Sequence, residues 1–343
     1  MSQKILYLLT ALLFWGCNEP AADQQQETGP ETTEVEVGVE RLSAELDRLV
    51  APDAQLEVLG EGYKWSEGPL WLPSLDLLIF SDVPENKIYY WKEGEGVQLY
   101  LQPSGYTGDE SPTREGSNGL LLDPEGRLVL CQHGDRRVAR MEAPLDEPAA
   151  DFSTIVDRYE GKRFNSPNDL VYDSRGNLYF TDPPYGLPQQ AEDPERELDH
   201  HGVYRLGADG QLTLLTDELS RPNGIALSPD EKTLYVANSD PERAIWMAYD
   251  LSAEGQISNG RVLFDATERV PDEPGLPDGL KVDKEGYLFA TGPGGVFVFK
   301  PDGMHLGTIR TGRATANCAF SADQTALYMT ADDRLMRIGL VVR

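Results

Sequence analysis

Six times along this chain a polar residue heads the same short phrase, at Glu67, Asn118, Asn168, Asn223, Asp278 and Asn317. The phrase is a β-hairpin: alternating apolar residues, a turn such as Asp123-Pro124-Glu125-Gly126, then a second apolar run ending near a polar residue. NGLLLDPEGRLVLCQ from Asn118, NDLVYDSRGNLYFTD from Asn168, NGIALSPDEKTLYVAN from Asn223 and DGLKVDKEGYLFATG from Asp278 are variants of one unit. EGPLWLPSLDLLIFSD from Glu67 and NCAFSADQTALYMTA from Asn317 are looser copies. Successive heads lie 51, 50, 55, 55 and 39 residues apart. Repeats of that length built from strands predict an all-β fold, a six-bladed β-propeller with four-stranded blades around a central channel.

Further strands fall where each blade needs them, at Lys87–Trp91, Val138–Met141, Gly202–Leu206, Ile245–Tyr249 and Val296–Lys300. Leu56–Leu59 is expected to join the short last unit and close the ring, and Val39–Leu49 reads as a short helix before it. The expected division is a leader over 1–17, a polar tether and helix over 18–50, and the propeller over 51–343. Ile5–Trp15 is too short for a comfortable membrane span and, followed by Gly16-Cys17, reads as an export signal ending in a lipobox-like cysteine. Cys17 is the expected lipidation site, which predicts a periplasmic or outer-surface bacterial lipoprotein that meets a membrane only through that anchor; an unprocessed or ordinary export leader is the alternative. A net charge of −28 argues against nucleic-acid binding. Cys131 and Cys318 sit inside apolar strand phrases and are expected as buried free thiols.

In a propeller the innermost strands line the channel, so equivalent heads converge at one of its ends. All six are carboxylates or asparagines, hard oxygen donors suited to Ca²⁺, with Mg²⁺ or Mn²⁺ as alternatives and no His or Cys pattern for zinc. The plain alternative is that they cap strand entries. The residues closing the hairpins are expected to form a second layer, polar at Asp82, Gln132, Asp182 and Asn238 and neutral at Gly292 and Ala331, and the Asp182–Gly186 loop is expected over or beside the channel, with a structural corner as the alternative. His133, just past a strand end, is a candidate proton acceptor, while His200-His201 read as a solvated loop.

Glu67-Gly68-Pro69, Ser166-Pro167-Asn168-Asp169, Arg221-Pro222-Asn223-Gly224, Pro277-Asp278-Gly279 and FTDPPYG at Phe180–Gly186 resemble the gluconolactonase/regucalcin (senescence marker protein) family over roughly residues 54–335. The resemblance implies metal ligands at Glu67, Asn168, Asn223 and Asp278, an acid/base role for Asp278, and hydrolysis of a sugar lactone. The more distant paraoxonases use a histidine at a position resembling His133. Asn118 and Tyr185 are candidates for substrate hydroxyls; Arg136-Arg137 are candidates for a product carboxylate, or solvated charges. Two other readings stay open: a non-catalytic cell-surface propeller that binds glycan or protein around a structural Ca²⁺, and a paraoxonase-like aryl-esterase whose apolar pocket the Thr107–Gly116 loop would have to build.

Overall fold

A computed structural model describes residues 37–108 and 114–342; the leader, Cys17 and most of the tether lie outside them. Six blades of antiparallel strands follow one another around the ring. Their inner strands are Ser66–Leu72, Ser117–Leu122, Leu170–Tyr172, Pro222–Leu227, Leu280–Val282 and Thr315–Phe320. Leu56–Glu61 pairs with Arg334–Gly339, with Leu56 opposite Ile338, and completes blade 6 as expected.

The helix expected over Val39–Leu49 is corrected. Gly38–Arg41 is a strand that adds to the outer edge of blade 5, Val39 opposite Ile309, and only Ala44–Arg48 forms a 3-10 turn, capped by Ser43 accepting from the Glu45 amide at 3.2 Å. The open edge of His305–Arg310 offers backbone partners that five helical residues cannot match. The turn then buries Leu46 and Leu49 between blades 5 and 6.

Each hairpin turn is fixed by its own sequence. Asp123 accepts from the amides of Glu125 and Arg127, at 3.1 and 2.8 Å, while Gly126 takes the left-handed φ of 81° that a glycine adopts freely. Asp173 with Gly176 repeats the arrangement.

Apolar side chains pack as layers between neighbouring blades. Among the described residues there are six such clusters, from Leu72, Ile79, Leu120 and Leu130 between blades 1 and 2 round to Phe80, Trp91, Tyr328 and Leu335 between blades 6 and 1. Cys131 and Cys318 are buried free thiols within these layers. The layer between blades 4 and 5 is built on Trp246, fully buried with its ring centroid 5.1 Å from that of Phe297. A side chain at Gly292 would meet its ring at 2.7 Å. Trp246→Ala is expected to cost about 3–5 kcal/mol, read from denaturant melts, because the cavity cannot collapse between two rigid sheets.

Candidate active site

The ladder slips where the heads sit. Register shifts fall between Glu67 and Leu70, Ser117 and Leu120, Pro222 and Ile225, and Thr315 and Asn317. In blades 3 and 5 the inner strand begins only at Leu170 and Leu280, two residues after the head. Such irregularities re-aim side chains; here they turn heads into the axial end of the channel. Glycine follows four of the heads because the blades touch there. A Cβ on Gly68, Gly119 or Gly224 would lie 2.1, 2.6 or 2.2 Å from the carbonyl oxygen of the next head, Asn118, Asn168 or Asp278.

Five heads, Glu67, Asn118, Asn168, Asn223 and Asp278, line one cavity of about 590 Å³ together with His133 and Tyr185. The Oδ1 atoms of Asn118, Asn168, Asn223 and Asp278 are shielded from solvent and have no hydrogen-bond partner. The amide nitrogens explain their direction: Asn223 Nδ2 donates to Ser239 Oγ at 2.8 Å, and Asn168 Nδ2 lies 3.5 Å from His133 Nε2. Glu67 Oε2 accepts from the Gly68 amide at 2.6 Å and from Asn317 Nδ2 at 3.2 Å. Asn317 stands apart, its Oδ1 accepting from the Cys318 amide and from Lys281 Nζ at 3.2 Å, so it ties the channel wall together below the cavity.

The electrostatics are those of buried like charges. Burial pushes the Glu67 carboxyl up to about 7, the Gly68 amide pulling it back and Asp169 adding to the rise. Burial, then the charges of Glu67 and Asp169, hold Asp278 well above the usual carboxylate range. Asp169, at a position where four other blades carry glycine, lies 3.8 Å from Lys281 Nζ, with which it forms an ion pair. Two acids facing unpartnered oxygens form a site deficient in positive charge. That donor set fits a hard divalent cation, whose six to eight oxygen ligands the carboxylates and amide oxygens can supply in part. Among the described residues no three His, Cys, Asp or Glu side chains converge as a metal cage, so the fit depends on the asparagines.

The hairpin-closing residues do not form a channel layer. Asp82 accepts from the amides of Lys64 and Trp65, Asp182 from those of Asn165 and Ser166, and Asn238 from that of Arg221. Each clamps the segment that enters its own blade. Gln132 instead bonds Ser104 and Arg137. Arg136 is neither solvated nor in the cavity: it is buried, donating to the carbonyls of Phe164 and Glu195 at 2.7 and 2.9 Å. Arg137 bonds Gln132, Thr154 and Asp135. His200 and His201 are half-buried against Tyr204 and Ser220 and stand outside the cavity. Tyr185 donates to the Ser239 carbonyl at 3.3 Å, and burial pushes its hydroxyl up to about 12, so it stays a donor at neutral pH.

Ser239 and Glu115 are among the cavity residues that escaped the sequence reading. Ser239 follows the closing residue Asn238 as His133 follows Gln132, a repeat position that could have been found by alignment of the hairpins. Glu115, whose Oε2 lies 2.9 Å from His133 Nδ1, sits in the connection before the strand Ser117–Leu122, outside the repeated hairpin phrase. Of the Thr107–Gly116 loop, whose residues 109–113 lie outside the described ones, Glu115 brings a carboxylate to the cavity; Trp65, Val83, Pro84, Val270 and Leu276 make the apolar rim.

A propeller whose axial cavity gathers carboxylates and amide oxygens defines a class of channel-centred six-bladed proteins. Residues 65–333 match the family described as SMP-30/Gluconolactonase/LRE-like region, and the chain belongs to it. The gluconolactonase of Zymomonas mobilis is 39% identical over 308 residues, covering 88% of this chain and 85% of that protein. The L-arabinolactonase of Azospirillum brasilense is 29% identical over 82% of each chain. The solved structure of a Xanthomonas campestris gluconolactonase superposes with a TM-score of 0.76 at 34% identity, covering 88% of this chain and 95% of that one.

Proposed function

We propose that this protein hydrolyses a sugar lactone to the aldonic acid with a divalent cation, Ca²⁺ by the donor set and Mg²⁺ or Mn²⁺ as alternatives, held by Glu67, Asn168, Asn223 and Asp278. The observation that carries the reading is the group of unpartnered buried oxygens around two acids whose ionisation is suppressed. When bound, the cation supplies Lewis-acid polarisation of the lactone carbonyl, worth several kcal/mol to the developing oxyanion. Asp278 contributes its charge to holding the cation, which makes it a weak base there. His133 lines the same cavity, and its Nε2 takes the proton from water as the water oxygen bonds to the carbonyl carbon. The proton then passes from Nε2 to the ring oxygen as the ring C–O bond breaks, leaving the hydroxy acid. Asn118 and Tyr185 receive substrate hydroxyls.

Ring opening yields an acid, so proton release in a pH-stat reports it. Glucono-, galactono- and xylonolactone are expected to turn over well above the uncatalysed rate. The apolar rim favours one competing reading, an aryl-esterase. Phenyl acetate turned over with a higher kcat/KM than every sugar lactone would replace the sugar-lactone reading.

The raised carboxyls give a pH test. In the metal-free protein Glu67 keeps its proton below about 7, and a cation must displace it, so Ca²⁺ affinity falls as pH drops through about 7 and binding releases protons. The stability term has the opposite sign from a paired acid. Because the folded value lies above the ordinary 4.5, the chelated protein loses stability as pH rises from 4.5 to about 7. Calorimetric titrations in two buffers and melts with and without chelator check both.

Export and lipidation at Cys17 remain part of the proposal, supported by the Met1–Cys17 sequence pattern. Labelling with a radioactive fatty acid, lost in Cys17→Ala, is the expected outcome.

A further inference from the structure

We propose that Glu115 is a positioning residue that holds His133 in the Nδ1–H tautomer and so leaves the Nε2 lone pair facing the cavity; the proposal rests on the lactonase reading above. Both residues line the cavity, and Glu115 Oε2 meets His133 Nδ1 at 2.9 Å. The contact is built into the backbone. His133 N donates to Gly116 O and Gly134 N to Glu115 O, each at 3.1 Å, while Gly116 N donates to Val83 O at 2.7 Å. The two segments are thus stitched side by side beneath their side chains.

Three glycines make room for this arrangement. A Cβ on Gly134 would fall 2.5 Å from Glu115 O, and one on Gly116 2.6 Å from the Asn86 backbone. On the opposite side, a Cβ on Gly186 would fall 2.6 Å from His133 Cβ and 2.8 Å from Cγ. The last glycine of the FTDPPYG phrase therefore lies against the imidazole, and Ser166 Oγ fixes it there by accepting from the Gly186 amide at 2.9 Å. His133 is 1% exposed and Glu115 34%, so the ring is held rigidly while its partner reaches it from the cavity mouth.

A carboxylate only accepts hydrogen bonds, so the imidazole proton on this side sits on Nδ1. The opposite nitrogen lies 3.5 Å from Asn168 Nδ2, an amide donor, which fits Nε2 as the unprotonated acceptor. Holding one nitrogen so that the other works as the base is the arrangement that a histidine needs to act on water at a fixed place.

The experiment pairs kinetics with imidazole ¹⁵N NMR, which is tractable because the chain has four histidines. Wild type is expected to show His133 as the Nδ1–H tautomer, with no substrate present. Glu115→Leu is expected to lose that signature and lower kcat about 10–100-fold, with KM and Ca²⁺ affinity within about twofold. Glu115→Gln, whose amide oxygen still accepts from Nδ1–H, is expected to recover most of kcat. An active wild type with His133 as the Nε2–H tautomer, or a Glu115→Leu enzyme with undiminished kcat, overturns this proposal alone. A wild type that opens no lactone overturns the reading beneath it.

Discussion

Asp278→Asn is expected to abolish lactone hydrolysis, lowering kcat/KM by about a thousandfold or more, and to weaken Ca²⁺ binding by at least about a hundredfold. The substitution keeps the shape of the side chain and one amide oxygen. What it removes is one of the two negative charges among the four proposed ligands, in a shielded site where each charge acts at short range. The same change carries its own control. In the absence of metal, burial and then the charges of Glu67 and Asp169 disfavour the ionised form of Asp278, so a neutral side chain there adds no electrostatic cost. The chelated Asp278→Asn protein is therefore expected to melt no lower than chelated wild type at neutral pH. Lost activity with an unchanged or raised Tm separates a chemical role from a structural one. Full activity would remove Asp278 from the mechanism.

Gly224→Ala is expected to damage fold and site together, destabilising by about 3 kcal/mol. The added methyl would lie 2.2 Å from the Asp278 carbonyl oxygen and 2.8 Å from Gly279 Cα, backbone atoms that cannot rotate away. Blade 5 has to retreat from blade 4, and it carries Asp278 with it. Loss of cation binding at temperatures where the variant is still folded is the expected companion, read by calorimetry below its lowered Tm. Gly126→Ala, in a hairpin turn with open space around it, strains only its own φ of 81° and should leave cation binding intact. Equal losses of binding from both substitutions would contradict the argument that blade contact sets the position of Asp278.

The repeat made the fold legible, since a head, a turn and a second strand recur with one spacing and can belong only to blades. It also made the cavity legible in outline, because equivalent positions in a ring converge. Where it failed, the cause is local. The closing residues Asp82, Asp182 and Asn238 are polar at the right end of the right strand, yet strand side chains alternate. Their neighbours Val83 and Ser239 face the cavity while they face the entrance of their own blade. Gly38–Arg41 looked helical because nothing in its own sequence announces a strand edge some 270 residues away, which the register of Glu40 with Thr308 supplies. Glu115 carried no signal at all, since it lies outside the repeat and gains its meaning only from His133. Asn317 shows the reverse: it keeps the form of a head, while Lys281 and Glu67 hold its amide below the cavity.

The family places this chain among propellers whose relatives include gluconolactonases and an arabinolactonase. Its residues explain how such an enzyme can work with so few titratable groups. In the proposed reading, Glu67 and Asp278 would hold the cation once their protons are displaced, and His133 would take the proton of water.

The most direct test of this account is a pH-stat assay of gluconolactone opening by protein stripped of metal with chelator and then titrated with Ca²⁺. The account predicts activity near the uncatalysed rate after stripping, restored by Ca²⁺ with saturation at about one ion per chain. Undiminished hydrolysis by fully stripped protein would contradict it.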